Sequence, residues 1–461
     1  MSYETAITQM YALGHELAHT PSHKFDLAHM RVLLAALGHP EKKFASVLIA
    51  GTNGKGSTAA TLASILQASG LKTGLYTSPH LARINERIRV NGQAIDDNDF
   101  ARLHDVVDRT AERLVTEGDL PWHPSFFEML TAMAFEHFAQ VRPDLVVLEV
   151  GMGGRLDATN VVDARLSVIT DIALDHQRFL GETIREIAGE KAGVIRPGGV
   201  VVTLPQLPEA NDVIGNAILD RGARAVNAVP YVPPVSPGSD SYLRGQWPVG
   251  SGQPQQGGVE AQVQCYGLQV LGQEIWAESP LIGRHQLRNV ALAVAAAVEL
   301  RDQGFSQITP ASIERGIGET RWPGRFQVLP ASGGNPEYVF DVAHNPAGAW
   351  ALRSTLSAAY PNRPITLAFG VMRDKAVTEM AEILFPIAEH VIATQADNPR
   401  SATPAEIRQA ASRVADAFQE ASDVVVALEQ ARRLAGANGL VVVTGSIYIV
   451  GEAMRTLGVR I

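Results

Sequence analysis

The segment Gly51-Thr52-Asn53-Gly54-Lys55-Gly56-Ser57 follows a short apolar run, 46–50, and precedes a helical stretch over 57–69. Strand, glycine-rich turn and helix in that order make an anion cradle. Glycines let successive N–H groups turn inward on a phosphate, and the helix N-terminus adds the positive end of its dipole. Thr52, Asn53, Gly54 and Gly56 belong to that cradle. Lys55 would neutralise the β/γ-phosphates of ATP, and Ser57 offers a hydroxyl to Mg²⁺. The spacing departs from the general G-x-x-x-x-G-K-[ST] pattern, because Gly56 stands between Lys55 and Ser57. A second polar set lies further on. Glu149 closes the apolar run Asp144-Leu145-Val146-Val147-Leu148, so its carboxylate projects from the C-terminal edge of a buried strand. Such a group is costly unless a cation satisfies it. Ser78 lies just past a strand predicted at 73–76, and His176 ends the segment after the next one, predicted at 166–171. In an open parallel sheet all three reach the edge where ligands bind. The alternative makes Glu149 a structural carboxylate and His176 a capping residue.

These groups need a doubly wound scaffold, and the chain's periodicity supplies one. Continuous apolar strands such as 144–150 are buried on both faces, as in a parallel sheet covered by helices. Helices are predicted at 99–115 and 127–140. Near residue 230 the character changes: 231–260 is rich in Pro, Gly, Ser and Gln and reads as a long surface insert, followed by short strands around 261–277. After an Ala-rich helix at 287–301, a second α/β alternation begins near Gly324, with strands at 338–341, 365–369, 390–393 and 440–443. The expected architecture is α/β: a P-loop parallel-sheet ATPase domain over 1–322 and a smaller Rossmann-like domain over 323–461, with a hinge near Thr320–Gly324.

Bulk properties set the class. At 461 residues, two or three domains are expected. A net charge of −9 gives no basic footprint for nucleic acid, so an anionic substrate must meet a local cluster of donors. The single cysteine, Cys265, rules out an intramolecular disulfide and suits a reducing compartment. The first twenty residues lack the pattern of a signal peptide, and no run approaches a bilayer span. The expectation is a cytoplasmic, soluble protein.

Two motifs compete with this reading. His15-Glu16-Leu17-Ala18-His19 matches the H-E-x-x-H zinc-protease signature. Its extended form calls for glycine and a third histidine where this chain has Ser22 and Phe25, so a solvated first helix is the expectation. Gly151-Met152-Gly153-Gly154 is no dinucleotide fingerprint, since the third glycine would fall on Leu156.

The motifs, in order, resemble the folylpolyglutamate/dihydrofolate synthases, relatives of the cell-wall (Mur) ligases. The resemblance rests on GTNGKGS at 51–57, YTSPHL at 76–81, NERIRVNG at 85–92, LEVGMGGRLDATN at 148–160, ALDHQRFLG at 173–181, EKAGVI at 190–195, RWPGRF at 321–326, FDVAHNPAG at 340–348, MRDK at 372–375 and TGSIY at 444–448. It implies that Ser78, Glu149 and His176 coordinate one Mg²⁺ while a second sits by Ser57. It implies a carbamylated Lys191, a residue whose chemistry alone reads as a surface helix lysine. Asn289, Arg325 and Asp341 are implied to contact ATP, gripped by both domains, with His344 joining Lys55 and Lys191 in the catalytic set. For Asp341, a helix N-cap is the structural alternative. Arg155, Leu156, Asp157 and Ala158, together with Ser125, Phe126, Phe127 and Glu128, match the family's pteridine-binding segments, with Leu27 and Ala28 contributing from the N-terminal loop. Phe126 or Phe127 would stack on the ring, or each would be core.

The implied reaction is ADP-forming ligation of L-glutamate, as the free amino acid, to dihydropteroate and to reduced folates. A carboxylate is a poor electrophile for an amine, so it first takes the γ-phosphoryl group to become an acyl phosphate. A monomer is expected, with neither membrane nor nucleic acid as partner. A cell-wall peptide ligase and a nucleotide-binding switch without ligase chemistry are the other functional classes.

Overall fold

The structure, a computed structural model, describes residues 1–14, 26–233, 263–412 and 418–459. The H-E-x-x-H match and nearly all of the 231–260 insert lie outside the described residues. The chain forms two compact units. One comprises Met1–Val232, Gln269–Gln273 and Arg288–Gly316; the other comprises Pro233–Leu268, Glu274–Leu287 and Ile317–Ile461. These bounds differ from a single cut at 322/323. The difference has a packing cause: Ile282, ahead of the helix Arg284–Asp302, is buried in the core of the second unit.

The first unit is built on eight strands: β1 (Ser46–Ala50), β2 (Thr73–Tyr76), β3 (Ile88–Val90), β4 (Gln93–Ala94), β5 (Leu145–Glu149), β6 (Leu166–Ile169), β7 (Val200–Thr203) and β8 (Arg224–Asn227). Their order is β4-β3-β2-β5-β1-β6-β7-β8. From β2 to β8 the neighbours are parallel; β3 and β4 add an antiparallel edge. Strand β1 separates two halves of the topology, β2 and β5 on one side and β6 to β8 on the other, which puts the turn after β1 at the switch point where open α/β sheets bind ligands.

Burial on both faces explains the unbroken apolar strands. Leu48, Ala50, Val146 and Leu148 pack with the helices Tyr3–Ala12, Leu27–Ala36, Asp97–Glu117 and Phe126–Val141. The third of these shows how sequence sets an element. Asp96 caps its start by accepting from Asp99 N–H at 2.8 Å, Gly118 ends it at φ 83°, and Phe100, Leu103, Val107, Ala111 and Leu114 form its buried stripe. Around β6 and β7, Ile169 and Val201 pack with the helices Ile184–Ala192 and Pro208–Asp220.

In the second unit, the strands β9 (Gln264–Val270) and β10 (Gln273–Ser279) form a two-stranded sheet whose connecting turn belongs to the first unit. The six-stranded sheet uses β11 (Gln327–Leu329), β12 (Glu337–Phe340), β13 (Ile365–Phe369), β14 (His390–Ala393), β15 (Phe418–Glu420) and β16 (Leu440–Thr444), in the order β11-β12-β16-β13-β14-β15. All neighbours are parallel except β11 with β12. Both units thus have the doubly wound α/β architecture, each with antiparallel edge strands added. No helix among the described residues is long and apolar enough to cross a membrane.

Candidate active site

The phosphate loop leaves β1 and enters the helix Lys55–Ala68, whose N-cap is Gly54 at φ 90° with no side chain capping it. The helix's first N–H groups are therefore left for an anion. Two glycines are dictated by space as well as by φ. A Cβ on Gly51 (φ 149°) would stand 1.8 Å from Thr170 Oγ1, and one on Gly54 would stand 2.1 Å from Asn289 Oδ1. Thr52 and Asn53 behave differently from the rest of the loop. Their N–H groups donate to Asp171 O at 2.9 and 3.1 Å, and Thr52 Oγ1 donates to Ala173 O at 3.0 Å. They tie the loop to the end of β6. Lys55 Nζ folds back on Gly51 O and Thr52 O at 3.2 and 3.1 Å, so it is already stationed over the loop.

At the same sheet edge, Glu149 is buried and its Oε2 accepts from Ser78 N–H at 3.2 Å. The strand ends of β2 and β5 therefore bring Ser78 and Glu149 together. His176 lies seven residues past β6, half-buried, in a left-handed conformation at φ 50°. It occupies the N-cap position of a short helix, but its side chain caps nothing there, and its N–H donates to Asp175 Oδ1 at 2.8 Å. The capping alternative is thereby corrected: its role at the helix start is a backbone one. A non-glycine residue held at positive φ carries strain, a feature that gathers at functional sites.

Lys191 is the largest departure from side-chain chemistry alone. It is 4% exposed, on the inward face of the helix Ile184–Ala192, and its Nζ donates to Gly51 O at 2.7 Å. Gly51 O thus accepts from two lysines. Burial, with the Lys55 charge adding to it, holds the Lys191 ammonium down to about 7. A surface lysine would be a spectator; this one is buried against the phosphate loop.

In the second unit, the chain leaves β12 at Asp341 and enters the helix Pro346–Ala359. Asp341 is buried; Oδ2 accepts from Phe326 N–H and Oδ1 from Ala343 N–H, both at 2.9 Å. Burial pushes its carboxyl up, opposed by the neighbouring Arg325. The N-cap alternative for Asp341 is corrected, because Asn345 caps the helix Pro346–Ala359 by accepting from Gly348 N–H at 2.8 Å. His344 shares a hydrogen bond between Nδ1 and Val342 O at 2.9 Å, which orients its ring.

Comparison with known proteins decides the family. Residues 324–447 match the Mur ligase, glutamate ligase domain. The dihydrofolate synthase/folylpolyglutamate synthase of Bacillus subtilis is 35% identical over 433 residues, covering 94% of each chain. The chain belongs to the dihydrofolate synthase/folylpolyglutamate synthase family. Among solved structures, a Mycobacterium tuberculosis folylpolyglutamate synthase complexed with ADP superposes with a TM-score of 0.83 at 31% identity, over 100% of this chain and 99% of that one. An Escherichia coli FolC in complex with DHPP and ADP gives a TM-score of 0.78 at 29% identity, over 99% of this chain and 98% of that one.

In this synthase-family chain, the segments expected to hold the acceptor differ in what their side chains contact. Phe126 is core: it is buried, stacks on Tyr11 at 5.9 Å between centroids, and lies under the Arg87 guanidinium at 5.4 Å. Phe127 is half-buried and occupies the space that a Cβ on Gly151 would need, its Cζ 2.6 Å away. Of the two rings, Phe126 is thus enclosed in the core and Phe127 lies at its edge beside Gly151. Glu128 is spent on support: Oε2 accepts from Ser125 N–H and Oγ at 2.8 and 2.7 Å, and Oε1 faces His29 at 3.5 Å. His29 directly follows Leu27 and Ala28, so this pair joins the two segments. Asp157 is buried and accepts from Met152 N–H and Thr159 N–H, each at 3.0 Å, and from Thr159 Oγ1 at 2.5 Å. Arg155 is exposed and pairs with Glu190 at 2.7 Å, one residue before Lys191; Leu156 is half-buried and Ala158 buried. His29, Arg87 and Asp171 are supporting residues that side-chain type and spacing did not single out.

Proposed function

We propose that this chain joins L-glutamate to dihydropteroate and to the γ-carboxylate of reduced folates, converting ATP to ADP and phosphate. The observation that carries this reading is one sheet edge on which the uncapped helix N-terminus, Lys55, buried Glu149 and buried Lys191 converge. Ser57, Ser78, Glu149 and His176 would hold Mg²⁺, which supplies charge compensation on the phosphates. The donor set suits that ion in its oxygens, since a carboxylate this deep needs a cation and Mg²⁺ otherwise takes water and phosphate oxygens.

The N–H groups of Gly54 to Ser57 bind the β/γ-phosphates, and Lys55 follows the charge on the phosphoryl group in flight. The acceptor carboxylate oxygen bonds to the γ-phosphorus as the bond to ADP breaks. The glutamate nitrogen then attacks the acyl carbon, phosphate leaves with its oxygen, and the nitrogen releases a proton. Asn289, Arg325 and Asp341 are assigned to ATP and His344 to the catalytic set on the family pattern. Phe127 faces the pteridine. Asp157 is assigned to the acceptor segment on the family pattern, where its carboxylate braces the turn through Gly151, Met152 and Thr159. We place the reaction in the cytoplasm, with a single chain sufficient and no nucleic-acid partner.

Coupled ADP release tests the assignment directly, with L-glutamate present and a panel of acceptors. ADP is expected with dihydropteroate and with tetrahydrofolate, each strictly dependent on glutamate. Release only with a muramyl precursor would make the chain a cell-wall ligase, and release indifferent to every acceptor would make it an ATPase.

A further inference from the structure

We propose that Asp171, through its pair with Arg288, is a positioning residue of the nucleotide site: one side chain fixes the helix that carries Asn289 against the phosphate loop. The inference rests on the reading of residues 51–57 as that loop. Asp171 stands two residues past β6. Its backbone carbonyl accepts from Thr52 N–H and Asn53 N–H at 2.9 and 3.1 Å, and the same residue makes an isolated bridge with Asn53. Its carboxylate serves a different partner. Oδ1 accepts from Arg288 Nε and Nη2 at 3.1 and 2.6 Å, and Oδ2 accepts from Nε at 3.0 Å. Arg288 Nη2 also donates to Pro205 O, just past β7, at 2.9 Å. The next residue, Asn289, is buried, with its Oδ1 over Gly54.

Asp171 thus holds the loop through its backbone and the overlying helix through its side chain. The planar guanidinium, locked on two acceptors, fixes the rotation of the helix as well as its distance. Arg288 and Asp171 are about one-third exposed. A pair so placed adds little to global stability. Positioning is a different matter, since a displacement of about 1 Å at a reacting group costs up to on the order of a hundredfold. The magnitudes therefore separate the two roles: a merely structural pair shifts melting slightly and leaves ATP affinity alone.

The test uses the full-length enzyme, with ATP and ADP as the calorimetric probes and steady-state kinetics alongside. Asp171→Asn keeps the carbonyl contacts to Thr52 and Asn53 and removes only the charge pair; Arg288→Ala removes the other partner. Each is expected to raise KM and Kd for ATP about tenfold, with KM for glutamate and acceptor unchanged. Arg288→Lys, which keeps charge and loses the fork, should fall between. The double variant should be no worse than either single one. ATP affinity within about twofold of the parent, additive losses, or losses shared equally by all three substrates would overturn the proposal. If Arg288→Ala does not fold, Asp171→Asn and Arg288→Lys carry the test. Lys55→Ala, measured in parallel, separates the two levels. If it keeps full turnover, the phosphate-loop reading itself fails; if it loses turnover while the pair variants bind ATP normally, only the positioning role fails.

Discussion

Lys55→Ala is expected to lower kcat for ADP formation on the order of a hundred- to a thousandfold while the protein still melts cooperatively near the parent temperature. The side chain's contacts are two carbonyls of its own loop, Gly51 O and Thr52 O, so its removal opens no cavity. The helix start does not depend on it either, because the N-cap is Gly54 and the loop is pinned to β6 through Thr52 and Asn53. What disappears is a mobile cation placed beside the phosphates, and such charge counts most as the phosphoryl group moves. The loss should therefore sit in kcat more than in KM for ATP. Stopped-flow or steady-state ADP release, beside a thermal melt, checks both halves. A folded variant with near-normal turnover would remove residues 51–57 from the chemistry.

Lys191→Ala is expected to be nearly inactive, and short-chain carboxylates such as acetate or formate should restore part of the activity. The buried amine has a pKa of about 7, well below the ordinary lysine value, because burial and the Lys55 charge disfavour its ammonium form. Only the neutral amine attacks CO₂. That step forms the N–C bond, releases one proton and leaves a carbamate anion. At fixed CO₂ the reactive fraction rises from about a tenth at pH 6 to about nine-tenths at pH 8. The loaded fraction should follow the same direction. The sign for the unmodified protein is similar: the folded pKa lies below the unfolded one, so stability rises with pH between about 7 and the ordinary lysine range. Carbamylation would also replace a group repelled by the Lys55 charge with an anion attracted to it. Carbon-13 NMR after labelled bicarbonate should show a carbamate that Lys191→Ala lacks. An active enzyme with no such signal, or full activity in the alanine variant, would contradict this assignment.

Much of the scaffold was legible because the strands that carry the site are continuous apolar runs. Strands at 46–50, 73–76, 365–369 and 390–393 fall where the sequence puts them. Three of the unread strands have physical reasons to be silent. β3 and β4 are antiparallel edge strands only three and two residues long, and β8 (Arg224–Asn227) has no buried residue. Neither kind leaves an apolar signature. The phosphate loop was legible because glycines at fixed positions have steric meaning, which Thr170 and Asn289 supply here. Lys191 was legible only through the family likeness, since Glu-Lys-Ala-Gly near a helix end reads as solvated until tertiary packing buries it. Asp171 was silent for another reason. Its contacts to Thr52 and Asn53 use a backbone carbonyl, which every residue has, and its partner Arg288 is over a hundred residues away. Phe126 and Phe127 could not be ranked from sequence because both begin one helix; only the third dimension turns the first onto Tyr11 and leaves the second beside Gly151.

If ATP activates the acceptor carboxylate as an acyl phosphate before glutamate attacks, a carboxylate oxygen must pass to phosphate, and an oxygen-18 transfer experiment reads that step. Dihydropteroate labelled in its carboxylate is turned over with L-glutamate and ATP, and the released phosphate is examined by mass spectrometry or phosphorus-31 NMR. The carboxylate oxygen that bonds to the γ-phosphorus departs with it, so one labelled oxygen should appear in phosphate for each amide formed. Label in AMP with release of unlabelled pyrophosphate, or unlabelled phosphate with the departing carboxylate oxygen found in water, would contradict the acyl-phosphate route and with it the assignment of Lys55 and the loop around it.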